Sequence, residues 1–63
     1  MKWIYELFRR NGDELYVGEH RHYLGKETTD ILIYNITPGG LVLKEEIHES
    51  GENAGKIFVK YST

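Results

Sequence analysis

Cysteine is absent from the 63-residue chain, which excludes disulfide staples and thiolate metal centres. It also fits a reducing compartment. Proline occurs once, at a position that reads as a turn. Long apolar runs are missing as well: Glu6 interrupts the early stretch Lys2-Trp3-Ile4-Tyr5, so neither a signal-peptide core nor a membrane span is expected there. The expectation is a cytoplasmic protein without membrane association. Nor is there a large excess of charge of either sign. The formal net charge is −2, which supplies no overall pull toward nucleic acid or anionic lipid.

Length sets the next bound. A chain of this size hides only about 60% of the surface it exposes when unfolded. Residues 1–63 therefore form one domain, whose core alone supplies roughly 3–5 kcal/mol. Stability must come from efficient packing or from burial against another chain.

What is present is a β pattern. Asn11-Gly12 sits between alternating apolar runs, the strongest short hairpin signal, and predicts strands at about 2–10 and 13–24. A two-residue loop at that dipeptide sets Arg10 opposite Asp13, Arg9 opposite Glu14, Leu7 opposite Tyr16 and Tyr5 opposite Gly18. The polar segment 25–30 reads as a link to a third strand at 31–37, which is apolar on both faces and suits a central position. Pro38-Gly39-Gly40 marks a turn and a fourth strand follows at about 41–48. A short helix over 41–49 is the alternative there, because Lys44-Glu45-Glu46 favours helix. Residues 50–55 read as a loop and 56–61 as a last strand. The expected fold class is all-β: about five antiparallel strands in a hairpin meander, curled into a small SH3-like or OB-like barrel or left as an open sheet that dimerises.

Candidate chemistry is sparse. His20 and His22 share one face of a strand, with Glu27 and His48 further on. This order resembles a fragment of the cupin metal motif, but the glycines of that motif are missing and the chain is too short for its barrel. Paired surface histidines are the simpler reading, so no metal and no cofactor are assigned. Gly51 to Lys56 resembles a phosphate-binding loop only superficially, having three intervening residues and Ile57 where a hydroxyl is needed. No nucleophile has an evident base beside it, and no catalytic residue is assigned.

The first hairpin remains. One of its faces carries Trp3, Tyr5, Leu7, Arg9, Tyr16, His20 and His22; the other carries Ile4, Phe8, Arg10, Leu15, Val17, Arg21 and Tyr23. A domain this small covers one face with its own core, leaving the other as a patch of aromatics and arginines, the composition of interaction hot spots. The residues assigned to partner binding are Trp3, Tyr5, Arg9, Tyr16, His20, Arg21 and His22. The function expected is a non-catalytic protein-interaction module, such as an adaptor, inhibitor or assembly protein. Its partner is another protein or an identical subunit, in a homodimer. Nucleic-acid binding on a small β-barrel ranks second, with Arg9, Arg10, Arg21 and Lys26 as contacts, and a His/Glu metal-binding protein third.

Overall fold

The computed structural model describes residues 3–62, with side chains from Ile4 to Ser62. Among these residues the order is β1 (Trp3–Asn11), β2 (Glu14–Tyr23), β3 (Lys26–Thr37), β4 (Gly40–Ser50) and α1 (Glu52–Ser62). The four strands form one open antiparallel sheet in the order β1-β2-β3-β4, and α1 packs across one of its faces. The all-β meander is thus present, and of its two expected forms the open sheet is found rather than the closed barrel. The five-strand count is corrected to four, because the segment expected as a fifth strand over 56–61 is helical. Ala54, Ile57, Phe58 and Tyr61 recur at the i, i+3, i+4, i+7 spacing of one helical face, and all four pack on the sheet. Glu52 in the first turn and Lys60 in the last complement the helix dipole.

The hairpin turns follow backbone chirality. In the first, Asn11 pairs with Glu14 and the two central residues are Gly12 and Asp13. Only Gly12 has a positive φ, 63°, as a type II′ turn asks. The pairing therefore lies two residues from the expected register: Arg10 faces Leu15, Arg9 faces Tyr16 and Leu7 faces Gly18. A shift of two preserves the side-chain faces and changes only the partners. The segment expected as a link over 25–30 is mostly strand, because Tyr23 pairs with Lys26 around a second two-residue turn at Leu24-Gly25.

Both residues of this turn have positive φ, 51° at Leu24 and 78° at Gly25, the requirement of a type I′ turn. For a leucine that conformation costs about 1 kcal/mol or more, and its side chain is 74% exposed, so packing does not repay it. Leu24→Asn is expected to stabilise the fold by about 1 kcal/mol, a rise of roughly 4–8 °C in Tm, measured by thermal unfolding. An unchanged or lower Tm would show that the leucine makes a compensating contact.

Burial alternates along the middle strands. Leu7, Tyr16, Ile31 and Ile33 form the buried cluster, with Ile47, Ile57, Phe58 and Tyr61 packed against it. Gly18 lies among them, and a Cβ there would sit 2.9 Å from the Asp30 carbonyl oxygen and 3.0 Å from Ile31 Cγ1. The glycine is what lets Ile31 lie flat against β2. In the helix, by contrast, a Cβ on Gly55 would meet only Glu27 Oε2, at an ordinary 3.6 Å. Gly55→Ala therefore removes a helix-interior glycine without a clash and should add about 0.5–1 kcal/mol in urea unfolding. Destabilisation would mean that α1 sits closer to β3 than described.

Candidate interaction surface

The two faces of the sheet differ in what covers them. Register and burial place Leu7, Arg9, Tyr16, Gly18, His20, His22, Thr29, Ile31, Ile33 and Ile47 on the face beneath α1. Most of the predicted partner-binding residues lie here and are occupied within the chain. Tyr16 and His20 are buried; the Tyr61 ring meets Tyr16 edge-on at 5.4 Å, and the Phe58 ring stacks on His20 at 5.2 Å.

His20 Nδ1 lies 2.6 Å from Thr29 Oγ1, whose hydroxyl donates to the Ala54 carbonyl at 2.8 Å. Because the hydroxyl proton points to the helix, the nitrogen must be the donor in the first of these bonds. This relay joins β2, β3 and the first turn of α1. At the other end of the helix Arg9 Nη1 donates to the Tyr61 carbonyl at 3.2 Å, and its guanidinium lies 5.3 Å from the centroid of the Tyr16 ring. A cation thus satisfies a C-terminal carbonyl that the helix cannot satisfy itself. Tyr5 is on the same face but exposed, and His22 is half-buried. The side chain of Trp3 lies outside the described residues.

Among the described side chains of the predicted set, Arg21 alone is on the opposite, helix-free face. That face is the open surface of the molecule. Phe8 is 79% exposed there, Leu41 54%, Leu43 50% and Ile4 47%. Leu15, Val17, Leu32, Tyr34 and Ile36, half-buried by their neighbours, join Phe8, Leu41 and Leu43 into a band across all four strands, whereas Ile4 lies apart from it, paired with Arg21. Beside the band runs a cross-strand row of Glu6, Glu19, Asp30 and His48. Arg21 bridges Asp30 at 3.0 Å and Glu19 at 3.8 Å, and His48 Nδ1 contacts Asp30. Glu46 extends the acidic side at the end of the Phe8-Val17-Leu32 row. The surface is therefore an apolar strip with a mainly acidic border and one arginine, Arg10, at its far corner.

Other arrangements are less developed. His48 is carried on the face opposite His20 and His22. Among the described residues no group of three or more His, Asp or Glu side chains is placed to hold a metal. The basic side chains do not gather: Arg9 is bound to the helix end, Arg10 is on the other face, and Arg21 is neutralised by carboxylates. An open hollow of about 570 Å³ lies where the Leu24-Gly25 turn meets the start of α1, lined by Gly25 to Thr28 and Ser50 to Glu52. Its functional groups are two carboxylates, one lysine and small hydroxyls, without a nucleophile–base pair.

Glu14 and Lys44 form an ion pair across β3. The hydrogen bond from Lys44, with that from Tyr16, holds the Glu14 carboxyl below its ordinary value; the same bond raises the Lys44 ammonium. The stability this tie contributes is fully present above the ordinary carboxylate range and is lost as pH falls through the lowered value of Glu14. Lys44 is also the residue left without an opposite number where the β3–β4 register shifts between Ile33 and Tyr34, a bulge that bends the outer edge of β4.

No protein-family model matches the chain, and no curated protein or solved structure resembles it closely enough to mark a relationship. Among the described residues no helix is long and apolar enough to cross a membrane.

Proposed function

We propose that this chain is a small non-catalytic interaction module that binds a protein partner on the helix-free face of its sheet. The observation that carries this reading is the apolar strip itself: α1 covers the middle of one face, where the large apolar side chains left exposed are Tyr5 and Val42 on the edge strands, and the other face carries a continuous strip that leaves Phe8, Leu41 and Leu43 at least half exposed. A contiguous apolar surface rimmed by charge is how interaction sites differ from the scattered apolar residues of ordinary surfaces. The acidic border of Glu6, Glu19, Asp30 and Glu46 favours a partner with apolar side chains flanked by lysine or arginine. The same border repels a phosphate backbone, which ranks nucleic acid second. The working surface thus moves from the face of Tyr16 and His20 to the face of Phe8, Leu43 and Arg21.

Anilinonaphthalene sulfonate is a suitable probe of the surface. The wild-type chain is expected to bind the dye in its folded state, and Phe8→Ser combined with Leu43→Ser to lose most of that fluorescence. Val59→Ser, on the exposed side of α1, should retain it. Equal dye binding by all three proteins would overturn the assignment of the face. A low-salt mobility shift with single- and double-stranded oligonucleotides forms the second arm: complexes that weaken steeply with added salt would replace the protein-partner reading with nucleic-acid binding.

A further inference from the structure

We infer that two copies of this chain join through their β1 edges, antiparallel about a two-fold axis at Phe8, so that the open face continues across an eight-stranded sheet. This rests on the interaction reading above and names how the module doubles its surface.

The sheet has two edges, β1 and β4, and they are not equivalent. The β4 edge is interrupted by the bulge at Lys44 and carries Lys44, Glu45 and Glu46 in succession. Bulges and runs of charge are the devices that keep an edge from pairing. The β1 edge has no bulge: its register against β2 is unbroken from Trp3 to Asn11, it holds no proline, and of its adjacent charges Arg9 and Arg10, Arg9 is turned to the helix end.

Hydrogen-bond parity then fixes which residues face outward. Asn11 and Glu14 flank a two-residue turn and form a hydrogen-bonded pair, so Arg9, Leu7 and Tyr5 also bond inward to β2. Ile4, Glu6, Phe8 and Arg10 direct their backbone N–H and C=O groups away from the sheet. These four side chains all lie on the helix-free face. A symmetric antiparallel pair must place residue i opposite a residue of the same parity.

Few registers remain, and charge selects among them. Centring on Glu6 or Arg10 sets like charges directly opposite. Centring on Leu7 or Arg9 leaves Glu6 and Arg10 without opposite charges. Centring on Phe8 sets Glu6 opposite Arg10 of the second copy, twice by symmetry, with the two phenylalanines adjacent at the axis. Arg10 Nε already donates to the Gly12 carbonyl at 3.0 Å, which leaves the far end of the guanidinium for the carboxylate. The outward backbone groups of Glu6, Phe8 and Arg10 are all paired in this register. α1 packs mainly on β3 and reaches β1 at Arg9, on the face away from the outward-facing Glu6, Phe8 and Arg10, so both helices lie on the same side of the extended sheet.

Sedimentation velocity on the full chain over a wide concentration range tests this. The wild-type chain is expected to dimerise. Glu6→Arg alone and Arg10→Glu alone should each weaken the dimer about tenfold or more, since each turns two favourable cross-strand pairs into repulsive ones. The double reversal, Glu6→Arg with Arg10→Glu, should restore wild-type association. Far-ultraviolet circular dichroism confirms that each variant folds. A wild-type chain monomeric at all concentrations overturns the edge joint, as does a double reversal that fails to restore it. Leu43→Glu, on the open face away from β1, should leave the dimer intact. If it breaks the dimer while the charge reversals do not, copies pack face to face: the edge inference fails and the interaction reading stands. If dye binding is also unaffected by Phe8 and Leu43, the interaction reading fails by itself.

Discussion

Ile31→Ala is expected to cost about 3–4 kcal/mol, the middle of the range for deleting a buried aliphatic side chain. Ile31 is completely buried, lies in the central strand β3, and pairs with Gly18 on one side and Ile47 on the other. Its Cγ1 occupies the notch that Gly18 leaves in β2. A cavity opened there cannot be refilled from the glycine, and α1 closes it from above, so collapse around the smaller side chain is restricted. Since a core of this size supplies only about 3–5 kcal/mol, the variant should be largely unfolded at room temperature. Phe8→Ala deletes a larger side chain, but from a position 79% exposed, and should cost only about 0.5 kcal/mol. Urea unfolding of both variants followed by far-ultraviolet circular dichroism checks the contrast. Similar midpoints for the two would mean that the core is not where Ile31, Leu7 and Tyr16 place it.

The second large effect concerns a polar group. Thr29 is fully buried and its hydroxyl stands between His20 Nδ1 and the Ala54 carbonyl. Thr29→Val keeps the shape and deletes the relay. The imidazole then loses its acceptor, and the first turn of α1 loses its tie to the sheet. A buried donor or acceptor stripped of its partner costs about 1–3 kcal/mol, so a loss of about 2–3 kcal/mol is expected. Thr29→Ser retains the hydroxyl and gives up one methyl, for a loss nearer 1 kcal/mol. Thermal unfolding that ranks wild type above serine above valine supports the relay. Valine equal to wild type would show that the helix is anchored by Phe58 and Tyr61 alone.

The relay explains why a histidine expected at a partner surface belongs to the interior. Alternation along β2 correctly groups Tyr16, His20 and His22 on one face, and it places Arg21 on the other. Which face is sealed depends on where the C-terminal segment lands, and both faces are apolar enough to accept it. Gly18, Thr29 and Ala54 are the small residues that allow close approach. All three belong to the covered side, a signal that side-chain size, rather than hydrophobicity, carries.

The helix was equally legible in principle. Ile57-Phe58-Val59 is strongly β-prone, and Gly51 and Gly55 look like the ends of a loop. The spacing of Ala54, Ile57, Phe58 and Tyr61 nevertheless matches a helical stripe, with Gly51 at φ 74° just before the first turn. Local propensity over three residues misled where periodicity over eight was informative. The hairpin register was beyond reach for another reason. Asn11-Gly12 and Gly12-Asp13 are both good turn dipeptides, and the charge pairs Arg10–Asp13 and Arg9–Glu14 favour the first. The structure instead extends the ladder, setting Arg9 against Tyr16, where it can reach the end of α1. A tertiary contact with a distant residue outweighs two exposed ion pairs, which are worth little each.

α1 covers the middle of one face of the sheet and leaves the middle of the other open. The cysteine-free sequence makes thiol mapping direct, because a single introduced cysteine is the only reactive site. Leu7 and Phe8 are adjacent in β1 yet 6% and 79% exposed, and Ile33 is 5% exposed beside the more accessible Leu32. Under native conditions Phe8→Cys and Leu32→Cys should react rapidly with a small maleimide, while Leu7→Cys and Ile33→Cys react only at the rate of unfolding. Equal labelling within each pair, or protection of positions 8 and 32 in place of 7 and 33, would contradict this arrangement.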